Sequence, residues 1–131
     1  ERVQRTATRL IPGFKNLSYE DRLRRLKILT LYFRRKRGDM IEVFKIFKGI
    51  DDIPPNEIFT LARDSRTRGH HMKLVKPPAN TNVRSQSFAW RVVNNWNSLP
   101  TSVVSAESVN AFKNALDRHW MREFYTLPPS A

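Results

Sequence analysis

"YFRRKRGDMIEVFKIF", residues 32–47, sets four cations side by side and then alternates apolar and charged residues at helical spacing. Phe33, Met40, Ile41, Phe44 and Phe47 form one apolar stripe, so the segment reads as a long amphipathic helix. Thr30 stands where an N-cap belongs, and Gly49, just beyond Lys48, supplies the left-handed residue that closes such a helix. At about 100° per residue, Arg34, Arg35, Lys36 and Arg37 sweep almost the whole circumference, and no rotation puts all four opposite the stripe. Arg37, four residues after Phe33 and three before Met40, lies on the stripe itself. It must snorkel, pair with a carboxylate, or reach past the core. The expectation is a helix whose C-terminal half is buried and whose N-terminal half projects toward something acidic. Gly38 at the junction costs about 1 kcal/mol against Ala in a helix interior and would admit a close backbone approach or a bend. Asp39 is expected to pair with Arg35 at i, i+4.

Outward from this segment the pattern stays helical. Val3, Ala7 and Leu10 fall at i, i+4 and i+7 and predict a core-facing stripe, with Arg2, Arg5 and Arg9 on the other side, until Pro12 and Gly13 stop the helix. Ser18 precedes Tyr19, Leu23 and Leu26, with Asp21 three residues on, a relative of the capping box that opens a second helix over about 19–29. Beyond Pro54 and Pro55, residues 56–62 suit a helical turn or two. "HHMKLVKPP" reads as a short strand ended by Pro77 and Pro78, with "TNVRSQSF" as its partner. Phe88, Val92, Trp96 and Leu99 return to helical spacing as far as Pro100. A last helix, starting near Ser105 or Ser108, carries Val109, Phe112, Leu116 and Trp120. The fold class is therefore mainly α: a compact helical domain of about five helices with at most one short β-hairpin, over about residues 70–87. Residues 1–125 are expected to form that single domain and residues 126–131 a flexible tail.

Composition narrows the function. A chain of 131 residues with 40% hydrophobic side chains can bury a core, which excludes disorder throughout. Its 24 Lys and Arg against 12 Asp and Glu give a net charge of +12, so the folded surface attracts polyanions, nucleic acid first among them. Residues 1–48 hold 14 basic and 5 acidic side chains and residues 49–131 hold 10 and 7, which puts the expected binding face in the N-terminal helices. The absence of cysteine excludes a disulfide framework and any thiolate metal site. No apolar run approaches the roughly 18–20 residues that span a bilayer, and no signal-type segment opens the chain. A secreted or membrane-bound protein is not expected, and nuclear and cytoplasmic locations stay open. The opening "ERVQRTATRLI" has helical character with no start Met and no capping residue ahead of it, which suggests a piece of a longer polypeptide.

The candidate nucleic-acid-binding residues are Arg22, Arg24, Arg25 and Lys27 in the second helix, Arg34, Arg35, Lys36 and Arg37 in the third, and Arg66, Arg68, Lys73, Lys76 and Arg84 around the loop and hairpin. Such side chains release counterions from phosphates, so binding weakens steeply with salt, but they carry no base information. A lone charge run is more often a solvated face; three clusters in one short chain favour a polyanion. Trp96 and Trp120 lie on apolar helical faces and belong to the core, whereas Trp90 lies off the stripe and is the aromatic to test for base stacking. Catalytic readings are weak. The Asp51–Asp52 pair in "GIDD" has no strand-turn-strand and no third carboxylate for two-metal chemistry. His70 and His71 are adjacent and point apart, His119 is distant, and no P-loop, nucleophile-elbow or His-Glu-x-x-His motif occurs. No catalytic residue, metal or cofactor is assigned, and the chain alone is not expected to be an enzyme.

The segments "ERVQRTATRLIPGFKNLSYEDRL", "RRKRGDMIEVFKIFKGID", "TRGHHMKLVKP", "TNVRSQSFAWRVVNNWNSLP" and "SVNAFKNALDRHW" resemble, in that order, the C-terminal end of reverse transcriptases from non-LTR retrotransposons of the jockey and CR1 type, a LINE-like group. The resemblance covers residues 1 to about 120. Its most specific parts are Arg37-Gly38-Asp39-Met40-Ile41-Glu42-Val43, Thr67-Arg68-Gly69-His70, and Val92-Val93 followed by Trp96-Asn97-Ser98-Leu99-Pro100. It implies a segment downstream of the polymerase thumb that helps hold template RNA or target DNA, with the aspartate-bearing palm of the RNA-directed DNA polymerase elsewhere in the polypeptide. The remainder of that polypeptide is then a partner as well. An alternative is a structural module whose basic helix docks on the polymerase body or another acidic protein. The chain departs from the family pattern after Thr30-Leu31: acidic residues commonly stand there, and Tyr32 and Phe33 stand here, which leaves the helix N-terminus without a carboxylate of its own.

Overall fold

The computed structural model describes residues 1–62, 69–77 and 87–127. In chain order its elements are α1 (Arg2–Arg9), α2 (Tyr19–Leu26), α3 (Leu31–Phe47), α4 (Pro55–Ile58), β1 (Thr60–Leu61), β2 (Leu74–Val75), α5 (Phe88–Asn97), α6 (Thr101–Val104), α7 (Val109–His119) and a 3-10 turn (Met121–Glu123). Among the described residues the fold is mainly helical with one small antiparallel sheet, as the periodicity predicts.

The capping chemistry legible in the sequence sets the helix ends. Ser18 Oγ accepts the Asp21 N–H at 3.1 Å, Thr30 Oγ1 accepts the Phe33 N–H at 3.1 Å, and Ser108 Oγ accepts the Ala111 N–H at 3.1 Å. α3 ends in a Schellman motif: Gly49 sits at φ +71°, and the Ile50 N–H reaches back to the Lys45 carbonyl at 3.0 Å. α2 ends the same way, but the left-handed residue is Lys27 at φ 55°. The carboxylate missing from the first turn of α3 comes from far back in the chain. Glu1 Oε1 accepts the Tyr32 N–H at 2.7 Å, placing negative charge at the helix N-terminus.

The chain divides into two compact units where the sequence predicts one domain: residues 1–35 with 120–131, and residues 36–119. The reason lies in α3. Phe33 is buried in the first unit and Met40, Ile41, Val43, Phe44 and Ile46 in the second, while residues 34–39 between them offer no apolar side chain to bury. Both ends of α3 are thus anchored, which corrects the expectation of a buried C-terminal half and a projecting N-terminal one. The predicted tail is tied down at its start, since Thr30 Oγ1 donates to the Thr126 carbonyl at 2.8 Å; residues 128–131 lie outside the described residues.

In the first unit, Phe33 meets Trp120 edge-on at 6.0 Å and Phe124 at 5.2 Å, beside buried Leu23 and Tyr19. α1 is turned the opposite way from its apolar pattern. Its inward side is polar: Thr8 is buried, and Gln4 Nε2 donates to the Tyr19 hydroxyl at 3.0 Å and to the Leu29 carbonyl at 3.1 Å. Val3 and Leu10 face solvent.

The second unit has an aromatic centre. Phe44 stacks on Phe112 at 4.3 Å, and Phe59, Phe47 and Trp96 form a near-parallel column at 6.0 and 5.4 Å. The sheet pairs Thr60 with Val75 and Leu61 with Leu74. The predicted strand around Leu74 therefore exists, and its described partner is β1. Residues 81–86 of "TNVRSQSF", the expected partner, lie outside the described residues, and Phe88 begins α5. The opposite edge of β2 is held by one side chain: Asn97 Oδ1 accepts the Leu74 N–H and Asn97 Nδ2 donates to the Leu74 carbonyl, both at 2.8 Å. Trp96 Nε1 donates to the Met72 carbonyl at 2.9 Å, and His70, buried edge-on against Trp96, bonds the Trp96 carbonyl at 2.9 Å.

Candidate nucleic-acid interface

The first unit carries 11 Lys and Arg against 4 Asp and Glu in 47 residues, net +7; the second carries 13 against 8 in 84 residues, net +5. Charge density is therefore highest on the smaller unit, which holds Arg22, Arg24, Arg25, Lys27, Arg34 and Arg35 of the predicted site.

Arg22 is not a surface cation. It is 3% exposed, and its guanidinium donates to Thr8 Oγ1 at 3.1 Å, to the Leu17 carbonyl at 3.0 Å and to the Arg5 carbonyl at 3.2 Å. Its place 5.5 Å over the Tyr19 ring completes a structural role, because a planar guanidinium can satisfy several carbonyls that no apolar residue would reach. Tyr19 itself is pushed up to about 12 by burial and by its hydrogen bond to the Glu1 carboxylate, so it stays a neutral phenol. Arg24 is exposed but engaged: it pairs with Glu20, approaches Asp21 at 3.8 Å, and lies 5.2 Å over the Tyr125 ring. Arg25, Lys27, Arg34 and Arg35 are exposed and make no ion pair among the described residues.

The four-cation run falls across the boundary between the units. Arg34 and Arg35 stay exposed on the first. On the second, Arg37 makes a bidentate pair with Asp117 at 2.6 and 3.0 Å, one of the resolutions expected for a cation on the apolar stripe, and this hydrogen bonding raises its pKa. Lys36 is half-buried and engaged in an interaction of its own. Half of the run is thus withdrawn from solvent. Asp39 pairs not with Arg35 but with Arg91 on α5, at 2.8 and 2.9 Å, since a planar fork from a neighbouring helix meets both carboxylate oxygens at once. No heavy atom lies within 4 Å of a Cβ placed on Gly38, so the close backbone approach suggested for it is absent among the described residues.

Of the third cluster, Arg66, Arg68 and Arg84 lie outside the described residues. Lys73 is half-buried, with its side chain 3.1 Å from a Cβ placed on Gly69, and makes a further interaction. Lys76 rests its ammonium 3.8 Å over the Trp90 ring, which occupies one face of the aromatic singled out for base stacking. Trp96 and Trp120 are buried.

The candidate set drawn from sequence leaves out the arginines of α1. Arg2, Arg5 and Arg9 all reach solvent, with Arg5 4.7 Å over Tyr19. A signal for the true orientation of α1 was the Gln4 and Thr8 pair at i, i+4, a polar stripe that matches the buried Arg22. Neither aspartate of "GIDD" joins a metal-binding group. Asp51 shares a hydrogen bond with Glu42, whose pKa that contact raises, and no cluster of three or more His, Asp or Glu suited to a metal occurs among the described residues. No helix among the described residues is long and apolar enough to cross a membrane. No protein-family model, curated protein or solved structure matches the chain.

Proposed function

We propose that this chain is a noncatalytic nucleic-acid-binding domain from the C-terminal region of a non-LTR retrotransposon reverse transcriptase, holding template RNA or target DNA by its backbone phosphates. The observation that carries the reading is the density of unpaired cation on the first unit: Arg25, Lys27, Arg34 and Arg35, exposed and without a carboxylate partner among the described residues. Side chains of this kind neutralise phosphates without selecting bases, so the binding is expected to be strong at low salt and indifferent to sequence. Segments that carry the resemblance meet one another within the second unit. There they are pinned by Arg37 with Asp117, Asp39 with Arg91, and His70, Met72 and Leu74 with Trp96 and Asn97.

The test replaces Arg25, Lys27, Arg34 and Arg35 by Gln in the full chain and measures affinity for a single-stranded RNA across a salt series. Every phosphate that is no longer neutralised flattens the slope of log K against log salt by about 0.7. A slope unchanged by the fourfold substitution overturns the assignment of these residues. Weak RNA binding by the unaltered chain at low salt overturns the function and favours the docking module.

A further inference from the structure

We infer that the outward side of α1 docks an amphipathic helix whose apolar stripe is flanked by Asp or Glu. Val3 is 79% exposed and Leu10 80%, and with Ala7 they form the floor of a shallow groove edged by Arg2 and Thr6. This is an apolar stripe on a helix whose other side is already satisfied by polar contacts, through Gln4 and through Thr8 with Arg22. Nothing in the first unit's packing needs these three side chains outside. The small residue at the centre, Ala7, leaves a notch between two larger ones, the surface into which the ridge of a second helix fits at close range.

Charge decides the occupant. At helical spacing Arg2 and Arg9 border the stripe along one edge, and both are exposed. The acid next to them in the chain, Glu1, is taken by the Tyr19 hydroxyl and the Tyr32 N–H. A second copy of the chain would bring arginine edges together with no carboxylate to offset them. A bilayer would find three short aliphatic side chains and no aromatic, too little apolar surface for interfacial binding. A polyphosphate has no use for the stripe. An acidic amphipathic helix uses both features, the apolar floor and the basic edge. With so few apolar side chains the contact belongs to the weak, transient class.

The test uses the full chain and a labelled peptide of about three heptads with Leu at a and d and Glu at e and g, which its own charges keep from self-pairing. Binding is followed by fluorescence anisotropy. The unaltered chain is expected to bind, V3Q/L10Q to lose at least about tenfold in affinity, and R2Q/R9Q to lose about threefold, more at low salt than at high. A peptide with Lys in place of Glu is expected not to bind. Because Val3 and Leu10 are mostly solvent-exposed, the thermal midpoint of V3Q/L10Q should match the unaltered chain, and L10A should give a smaller drop in affinity in the same direction. RNA affinity of V3Q/L10Q stays unchanged if the proposal holds, so its failure is separate from that of the phosphate-binding reading. Four results overturn it: no peptide binding at about 0.1 mM, equal binding by V3Q/L10Q, a homodimer that V3Q/L10Q dissolves, or Leu10-dependent partition into phosphatidylserine vesicles.

Discussion

Among the described residues, the unit of residues 36–119 holds fifteen of the nineteen buried hydrophobic side chains, and the unit of residues 1–35 and 120–131 holds the other four. The smaller unit instead holds three of the four buried polar side chains, Thr8, Arg22 and Thr30. The larger is an aromatic core of ordinary kind; the smaller joins a small aromatic cluster around Phe33 to a polar lattice in which side chains complete one another's hydrogen bonds. The denser positive charge also sits on the smaller unit. Arg22, the arginine it buries, is satisfied by three acceptors, Thr8 Oγ1 and the Leu17 and Arg5 carbonyls.

The sharpest way to break the comparison is in the aromatic core. Phe112, fully buried between Phe44 and Trp96, should cost about 3–5 kcal/mol when replaced by Ala, read as a drop in urea midpoint. Next comes the polar lattice. Arg22→Ala strands the Leu17 and Arg5 carbonyls and should cost about 2–3 kcal/mol, with Arg22→Lys failing to restore it because an ammonium lacks the fork. If Arg22→Ala instead left the midpoint unchanged and lowered RNA affinity, Arg22 would be a surface contact after all.

A smaller effect depends on pH and belongs to the second unit. His70 Nε2 donates to the Trp96 carbonyl and Nδ1 accepts the Met72 N–H at 3.1 Å, so the ring is neutral, and burial lowers its pKa, with Lys73 and His71 adding to the shift. A histidine depressed in the folded state contributes stability that is complete above the unfolded value of 6.5 and is lost as pH falls below it. Urea midpoints measured downward from pH 7 should therefore decline for the unaltered chain, and less so for His70→Gln. The smallest effects run in opposite chemical directions. Gly38→Ala should raise stability by up to about 1 kcal/mol in the interior of α3, and Lys27→Gly by about 0.5–1 kcal/mol at the left-handed end of α2. Both are read as shifts in thermal midpoint.

What the sequence carried was local. Ser18, Thr30, Ser108 and Gly49 announce helix ends because a cap needs only its own few residues. The apolar stripes of α3, α5 and α7 announce the second unit, since periodicity suffices when a helix buries an apolar face. The first unit was opaque for the opposite reason. Its buried side of α1 is Gln4 and Thr8, whose value depends on Arg22 and Tyr19 many residues away. Likewise no pattern within α3 reveals that Glu1 supplies its N-terminal charge, or that Arg91 claims the Asp39 that local spacing assigns to Arg35. Of the basic clusters, Arg25, Lys27, Arg34 and Arg35 were legible as surface. Arg37 was legible as a cation turned inward by its place on the stripe, but Arg22 was not, because its burial is decided by acceptors distant in the chain.

The side chain of Asn97, lying along Leu74, has a consequence for how molecules of this protein meet one another. An open sheet margin invites strand addition from a neighbour, and a two-residue pairing would ordinarily leave that margin bare. Here a single amide from a helix mimics one peptide unit of a third strand and satisfies both backbone groups that would recruit a stranger. Replacing it by Asp would set acceptor against acceptor at the Leu74 carbonyl and reopen the margin, turning a minor element of the fold into a seed for self-association.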